Sequence, residues 1–253
     1  MSPVLIAVIA LVMVGTSFLS GIFGMAGGMV LVGVLLAILP VPTAMALHAI
    51  TQMASNGWRA LIWRAHVRWR IVGAYVIGCA LAVGVWSLWL YVPSKALALI
   101  GLGALPLATR FVPAHLRARP EHFGHGIGQG AVSMMLMLLT GVAGPQLDQF
   151  FLGGALDRRQ IIATKGICQL FGHSFKLVYF GALIDNAASV DPMLAAVAVT
   201  ASMIGTGLSK KVLEAMSDAQ YRRWADRIIL GISVYYVAYG GYLLAAPMVP
   251  AGA

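Results

Sequence analysis

The chain has 253 residues, of which 60% are hydrophobic and only 10% charged, and its mean hydropathy is +0.88. Because soluble domains are about 25% charged, this composition excludes intrinsic disorder and argues against a soluble enzyme, whose surface needs more polar side chains. The net charge of +9 raises nucleic-acid binding as an alternative, which the positions of the basic residues argue against.

Fourteen of the 17 Lys and Arg residues fall in four short stretches between apolar runs. This distribution is typical of cytoplasmic loops in a multi-pass membrane protein and differs from a basic nucleic-acid groove. We therefore expect a lipid bilayer, and no nucleic acid, as a partner. The four stretches are Arg59, Arg64, Arg68 and Arg70; Arg110, Arg117 and Arg119; Arg158 and Arg159; and Lys210, Lys211, Arg222, Arg223 and Arg227.

Ten apolar segments follow one another, and we expect them to be the helices of one all-α transmembrane domain that covers residues 1–253. A spanning helix needs roughly 20 apolar residues, which leaves no room for a separate soluble domain. The first segment has no basic leader and no cleavage signal, so we expect it to be a retained span. The segments are 3–23, 29–39, 43–63, 71–90, 94–111, 124–140, 146–155, 160–184, 192–208 and 228–246.

Segments 29–39 and 146–155 are too short to cross a bilayer, since at about 1.5 Å per residue each covers roughly half of the hydrocarbon thickness. Each follows a glycine-rich break, Gly24-Met25-Ala26-Gly27-Gly28 or Gly141-Val142-Ala143-Gly144-Pro145. An interrupted helix is tolerated in a membrane where its open backbone is buried in protein or lines a cavity. The sequence therefore predicts two half-helices beside a protein-lined site.

The two breaks are related by a constant offset, because 141 minus 24 and 144 minus 27 both give 117. The same offset places Gln52 on Gln169 and Arg59 on Lys176. We therefore predict an internal repeat, with repeat one at about 1–112 and repeat two at about 120–246.

Loop charge indicates that the repeats have opposite orientations. Segment 64–70 is basic, whereas its counterpart, 181–191, contains Asp185 and Asp191 and no Lys or Arg. Each repeat also has five segments. Because this number is odd, the second repeat is inserted upside down relative to the first. Two inverted-topology repeats, each with a glycine-interrupted half-helix, are typical of secondary transporters, whose site lies near the bilayer midplane.

Backbone amides at the start of a half-helix favour an anion, because their N–H groups and the positive end of the helix dipole point at it. Glycine there lets a ligand approach the main chain closely. The alternative is that the glycines only permit close helix crossing, but the repetition of the break favours a site. The expected anion-binding amides are those around Ala26, Gly27, Gly28 and Met29, and those around Ala143, Gly144 and Gln146.

Polar side chains on the helices after the breaks form a second set of candidates. The repeat mates Gln52 and Gln169 can donate to an anion or hydrogen-bond between helices, and Lys165 adds a positive charge. For Arg59 and Lys176, the alternative is that the side chain extends to the lipid headgroups. At helical spacing, Lys165, Gln169, His173 and Lys176 share one stripe. The candidates for coupling or gating are Asp148, His48, Asn56, His173, Arg59 and Lys176.

Asp148 is the only acidic residue inside an apolar segment. An intramembrane carboxylate indicates either a proton-coupling group or an ion pair, here with Lys165, that fixes the half-helix. Both interpretations stay open on the sequence alone.

The sequence lacks the HExxH, Walker and GxSxG motifs, and it has no CxxC or CxxH spacing. We therefore expect no enzyme activity, no cofactor and no metal site. The two cysteines, Cys79 and Cys168, lie in distant apolar segments and are expected to be small buried side chains.

The string Gly21-Ile-Phe-Gly-Met-Ala-Gly-Gly-Met29, followed by Pro40 and Pro42, resembles the opening signature of the TauE/SafE family of sulfite exporter-like membrane permeases. Segment 163–181 is similar to that family's second-repeat helix. The resemblance implies an inner-membrane carrier for sulfite, sulfonates or other small organic anions. The chain departs from the family pattern by having Pro145-Gln146 after Gly144, which argues against strict equivalence of the two half-sites.

The sequence thus predicts a secondary transporter of the bacterial cytoplasmic membrane. It would move a small anion, such as sulfite, a sulfonate or a related organosulfur anion, by alternating access. Two alternatives stay open: an anion channel with the same half-helices, and an intramembrane enzyme or accessory membrane subunit. Assembly as a homo-oligomer is compatible with each of them.

Overall fold

The computed structural model describes residues 3–23, 25–113, 118–152, 154–184 and 190–245. Every regular element in these ranges is helical. A 3₁₀ turn (Arg64–His66) precedes α4, and a π-helical turn (Tyr179–Leu183) continues α8. The α-helices are α1 (Pro3–Phe23), α2 (Met25–Ile38), α3 (Val41–Ile62), α4 (Trp69–Trp86), α5 (Lys95–Arg110), α6 (Phe123–Thr140), α7 (Gly144–Leu152), α8 (Arg158–Val178), α9 (Pro192–Ala215) and α10 (Asp218–Ala245).

Within the described residues, four helical stretches are long and apolar enough to cross a membrane: Val4–Phe23, Trp69–Trp86, Pro192–Ser209 and Arg223–Ala245. Ala26–Ile38 is a shorter apolar helix. The more polar helices α3 and α8 pack against each other, α3 also against α9 and α8 also against α4. Polar side chains on both helices are buried, among them Gln52 and Lys176. The chain is therefore a membrane protein with several apolar helices.

Four helix pairs make the main contacts of the bundle. They are α1 with α9, α4 with α6, α3 with α8, and α5 with α10. Each pair joins a helix from the first half of the chain to one from the second half. The two halves of the chain therefore pack against each other through these four pairs.

Glycines mark the closest helix crossings. A Cβ at Gly78 of α4 would lie 1.9 Å from the carbonyl oxygen of Ile127 in α6. A Cβ at Gly205 of α9 would lie 2.2 Å from the carbonyl oxygen of Val14 in α1. Both distances are far below a van der Waals contact, so only glycine allows these backbones to approach so closely.

Helix α2 begins earlier than the sequence predicted, at Met25 rather than Met29. Most of the first predicted break is therefore the first turn of a helix, while Gly24 lies outside the described residues. Gly27 is helical because it lets α2 pack on α1, where its Cβ would lie 1.8 Å from the Thr16 carbonyl oxygen. For this one glycine, close helix crossing accounts for the residue.

The prediction that the basic stretches are loops is wrong for most of their residues. Helix α9 extends to Ala215 and α10 begins at Asp218, because a helix can continue beyond the hydrocarbon once its side chains reach the headgroups. Arg117 and Asp185 lie outside the described residues. The basic residues found in α-helices are Arg59, Arg70, Arg110, Arg158, Arg159, Lys210, Lys211, Arg222, Arg223 and Arg227.

Candidate functional site

The polar faces of α3 and α8 meet in the interior, where the two helices run antiparallel. At one end of this crossing, a Cβ at Gly166 of α8 would lie 3.0 Å from the Cβ of Ala60 in α3. At the other end, Lys176 of α8 reaches His48 of α3. The candidate residues predicted on these two helices therefore face one another.

A chain of three hydrogen bonds connects the two glycine-rich breaks. The His48 Nε2 atom donates to the carbonyl oxygen of Gly28 at 3.0 Å, which leaves Nδ1 of a neutral ring as an acceptor. The Lys176 Nζ atom donates to this Nδ1 at 2.7 Å and to the carbonyl oxygen of Gly141 at 3.0 Å. Gly28 and Gly141 are thus neighbours in the bundle interior although they lie far apart in the chain.

Gly141 has the conformation that this junction requires. Its φ of +89° is in the left-handed region and ends α6, which glycine adopts without steric penalty. A Cβ here would also lie 2.7 Å from the side chain of Val32 and 3.0 Å from the sulfur of Met45. The turn therefore directs its carbonyl group at Lys176 while packing against α2 and α3.

The predicted residues Ala26, Gly27, Gly28 and Met29 occupy the first turns of α2, and all four are buried. The first four N–H groups of a helix have no acceptor within it, and in α2, which begins at Met25, they include those of Ala26 and Gly27. The carbonyl oxygen of Met29 accepts from the Tyr236 hydroxyl at 2.9 Å. The amides of this turn are therefore positioned to serve as donors.

Gln52 lies over Gly28, because a Cβ at Gly28 would be 3.3 Å from the Gln52 side-chain oxygen. That oxygen accepts from Asn56 Nδ2 at 3.4 Å, and Asn56 also donates to the Gln52 carbonyl group at 2.9 Å. The Gln52 Nε2 atom is buried and has no hydrogen-bond partner among the described residues. Asn56 thus orients Gln52 and leaves its donor available.

On α8, two further candidates are buried near this point. His173 is 3% exposed, and its Nδ1 atom has no hydrogen-bond partner among the described residues. Its ring contacts that of His48 edge to face, with 5.4 Å between the ring centroids. Gln169 is 9% exposed, one turn before His173. The histidine therefore adds a second available buried nitrogen close to Lys176.

The start of α7 offers fewer backbone donors than the start of α2. Ala143 and Gly144 are buried at the start of α7. However, Pro145 has no N–H group, and the Leu147 amide donates to the Ala143 carbonyl group at 3.0 Å. The starts of α2 and α7 therefore differ, as Pro145-Gln146 indicated in the sequence.

The side chain of Gln146 is held in a closed ring of hydrogen bonds. Its Nε2 atom donates to Gln129 at 2.9 Å, Gln129 donates to Ser133 at 3.2 Å, and Ser133 donates to Gln146 at 3.1 Å. This ring anchors α7 to α6, so only the backbone amide of Gln146 is left for a ligand. Gln129 and Ser133 were missed in the sequence, although two polar residues four apart in an apolar helix are a usable signal.

Asp148 and Lys165 form an ion pair that joins α7 to α8. Their side chains are 27% and 12% exposed, respectively. The partner that the sequence suggested for Asp148 is therefore present. The positive charge of Lys165 is directed at this carboxylate.

Arg59 and Lys176, which the sequence predicted to be equivalent, have different surroundings. Arg59 donates to the Ser20 carbonyl oxygen at 3.2 Å, close to the end of α1. Lys176 is 0% exposed and points toward α3, so the alternative in which it extends to the headgroups is wrong. Its side chain turns inward because His48 and Gly141 supply acceptors there.

Two cavities lie beside α6 and the ends of its neighbours. A cavity of about 370 Å³ includes Gln129, Gln146 and Gln149 in its lining. A second cavity, of about 580 Å³, is lined partly by Arg68, Arg70, Glu121 and Gln160. Of the predicted site residues, only Gln146 lines either cavity.

Outside the spans, Glu121 ties the start of α6 to the segment after α7. Its carboxylate accepts from the Ala155 amide at 2.6 Å. This hydrogen bond holds the pKa of Glu121 below its ordinary value, because it stabilises the ionised form. The contact helps α6 and α7 to form a hairpin.

Metal ligation is not supported in the described part of the chain. No group of three or more His, Cys, Asp or Glu side chains there could hold a metal ion. Cys79 and Cys168 are buried free thiols.

Comparison with protein families agrees with this architecture. The family described as sulfite exporter TauE/SafE matches residues 8–236, which include both breaks and the α3–α8 crossing. The chain matches no curated protein and no solved structure. The matched region covers most of the 253 residues, and the chain therefore belongs to the sulfite exporter TauE/SafE family of membrane transport proteins.

Proposed function

We propose that this protein is a secondary transporter that moves a small anion across the bacterial cytoplasmic membrane by alternating access. The proposed substrates are sulfite, sulfonates or related organosulfur anions, in line with the family to which the chain belongs. The observation that carries the proposal is the hydrogen-bond chain from Gly28 through His48 and Lys176 to Gly141. It brings the two breaks together in the bundle interior, where donors can replace the hydration of an anion.

Two inverted repeats are part of this proposal, and the helix pairing supports them. A twofold axis in the membrane plane would exchange α1 with α6 and α4 with α9. It would therefore convert the α1–α9 pair into the α4–α6 pair and leave the α3–α8 and α5–α10 pairs unchanged. These four pairs make the main contacts of the bundle, as such an axis requires.

The glycine crossings support the same symmetry in more detail. Gly78 packs against the carbonyl oxygen of Ile127 and against the backbone amide four residues later in α6. Gly205 packs against the carbonyl oxygen of Val14 and against the backbone amide four residues later in α1. Equivalent glycine contacts in two helix pairs are what a duplicated, inverted unit would produce.

In the α5–α10 pair, each helix contributes one glycine that packs against the backbone of the other helix. Gly103 packs against the Ser233 carbonyl oxygen, and Gly240 packs against that of Ala96. The two glycines and their partners keep one spacing, since 240 minus 103 and 233 minus 96 both equal 137. Such reciprocal contacts are expected if the proposed twofold axis maps α5 onto α10 and α10 onto α5.

The half-helices are also held by equivalent positions on the following helices. His48 and Lys165 are repeat mates, since 48 plus 117 equals 165. His48 binds the Gly28 carbonyl group in α2, while Lys165 binds Asp148 in α7. Each proposed half-helix is thus fastened to its own full-length neighbour, which would let the two units move as bodies around the site.

The test is a flux panel in proteoliposomes with sulfite, sulfate, sulfoacetate and taurine. We expect saturable uptake and accelerated exchange when unlabelled substrate is present on the opposite side. Large single-channel currents would show that the protein is an anion channel and not a carrier. Absence of any anion flux from protein that is folded and inserted would reject the proposed function.

A further inference from the structure

Lys176 is a buried lysine without a carboxylate partner among the described residues. Its side chain is fully inside the bundle, where an uncompensated charge is strongly unfavourable. The carboxylates in the described part of the chain whose contacts are known are engaged elsewhere. Asp148 pairs with Lys165, Asp226 pairs with Arg110, and Glu121, Asp157 and Asp191 accept from backbone amides.

The contacts of Lys176 leave it able to take a further acceptor. An ammonium group has three N–H donors, and two of them are directed at His48 Nδ1 and the Gly141 carbonyl oxygen. Neither acceptor carries a negative charge, because the His48 ring donates through Nε2 to Gly28. An anion would therefore supply both the missing acceptor and the missing charge.

Two other buried nitrogens near this position have no hydrogen-bond partner among the described residues. They are Nε2 of Gln52, which is 6% exposed, and Nδ1 of His173, which is 3% exposed. Gln52 is one turn from His48 on α3 and lies over Gly28, while the His173 ring contacts that of His48. A buried polar atom without a hydrogen bond is unfavourable unless a ligand supplies the missing hydrogen-bond partner.

We propose that Lys176, Gln52 and His173 form an oxyanion site between the two breaks. Lys176 supplies the positive charge, and the other two side chains supply N–H donors to the oxygen atoms. The ligand class is a small anion with one sulfite, sulfonate or carboxylate group. This inference rests on the proposed function, and it assigns the charge recognition to side chains of α3 and α8 in addition to backbone amides.

Titration calorimetry of the purified full-length protein with sulfite and with sulfoacetate tests the assignment. Lys176→Met should weaken binding at least 30-fold, since it removes the charge, and Lys176→Arg should retain part of the affinity. Lys211→Met is the matched control. It removes one exposed positive charge on α9, a helix that carries none of the proposed site residues, and should change the dissociation constant by less than twofold.

His173→Leu is the second variant, because it leaves the bond between His48 and Lys176 in place. We expect it to weaken binding at least fivefold, and it decides the question if Lys176→Met does not fold. The proposed site would be overturned if Lys176→Met and His173→Leu both bind the anion as tightly as the wild type. If only one of the two variants folds, wild-type affinity in that variant would overturn it. If the wild-type protein itself neither binds nor transports these anions, the proposed function fails instead.

Discussion

At the residue scale, the two adjacent glycines of the first break have different tasks. A Cβ at Gly27 would lie 1.8 Å from the Thr16 backbone, whereas one at Gly28 would lie 3.3 Å from the flexible Gln52 side chain. Gly27 is therefore a packing residue, and Gly28 faces the proposed site. Substituting each by alanine separates the two functions.

Gly27→Ala should destabilise the protein by about 1–3 kcal/mol, the usual range for overpacking. Gly28→Ala should change stability by less than ~1 kcal/mol, since a side chain can move aside, but it should weaken anion affinity about fivefold. Thermal unfolding in detergent and substrate binding measure the two effects. Equal loss of stability in both variants would contradict the distinction.

Gln52 provides a second test at this scale, because its Nε2 donor is buried without a partner in the described structure. Gln52→Leu should therefore leave the stability of the anion-free protein unchanged or slightly higher. It should also weaken substrate binding by about 1–2 kcal/mol, the upper range for intramembrane hydrogen bonds.

The matched control for Gln52 is Asn56→Leu, which removes a donor that is already bonded to the Gln52 carbonyl group. This variant should lose stability. Unchanged affinity in Gln52→Leu would argue against a contact between its side chain and the anion.

At the element scale, the ion pair between Asp148 and Lys165 holds the short helix α7 against α8. Because both side chains are partly exposed, we expect a coupling energy of about 1 kcal/mol rather than the larger values of fully buried pairs. A double-mutant cycle with Asp148→Asn and Lys165→Met measures it. Additive losses of stability would exclude an energetic contribution from the pair.

The same variant addresses proton coupling. If the carboxylate serves only to fix α7, Asp148→Asn should still respond to a pH gradient in proteoliposomes, with a lower maximal rate. Flux that no longer follows the gradient, in a variant of unchanged stability, would assign Asp148 a coupling role.

The elements also show how far the sequence could lead. The apolar runs and their lengths located the helices. The second glycine-rich string located the turn at Gly141, but α7 begins at Gly144, two residues before the predicted start at Gln146. The start of α2 was misplaced because Gly27 is compatible both with an open turn and with a helix packed tightly on α1. Similarly, the end of an apolar run did not mark the ends of α9 and α10, whose basic residues continue the helices.

The partners of the site residues could not be derived from sequence. Spacing placed Lys165, Gln169, His173 and Lys176 on one stripe of α8, but the rotation of α8 against α3 decides which residue is inside. That rotation pairs Lys176 with His48 and Lys165 with Asp148. Gln129 was missed, although its spacing of four residues from Ser133 in an apolar helix was a usable signal.

At the scale of the whole molecule, the proposed inverted repeat makes a prediction about topology. The turn before α4 and the start of α9 should lie on opposite sides of the membrane. Ala65→Cys and Met193→Cys place thiols at exposed positions in these two regions, in a background without Cys79 and Cys168. A membrane-impermeant thiol reagent added to intact cells should label only Met193→Cys.

Labelling of both positions from the same side would contradict the inverted arrangement. A control with permeabilised cells shows that both thiols are reactive. The native cysteines are buried, so replacing each by serine or alanine should be compatible with insertion.

The pairing of α1 with α9 has a consequence for biosynthesis. The first helix leaves the ribosome long before its principal neighbour, whose residues begin at Pro192. During most of translation, the face of α1 that packs against α9 must be covered by lipid or by the insertion machinery. The two halves of the chain therefore cannot finish folding independently in the bilayer. A truncated product that ends before α9 should be a substrate for membrane proteases.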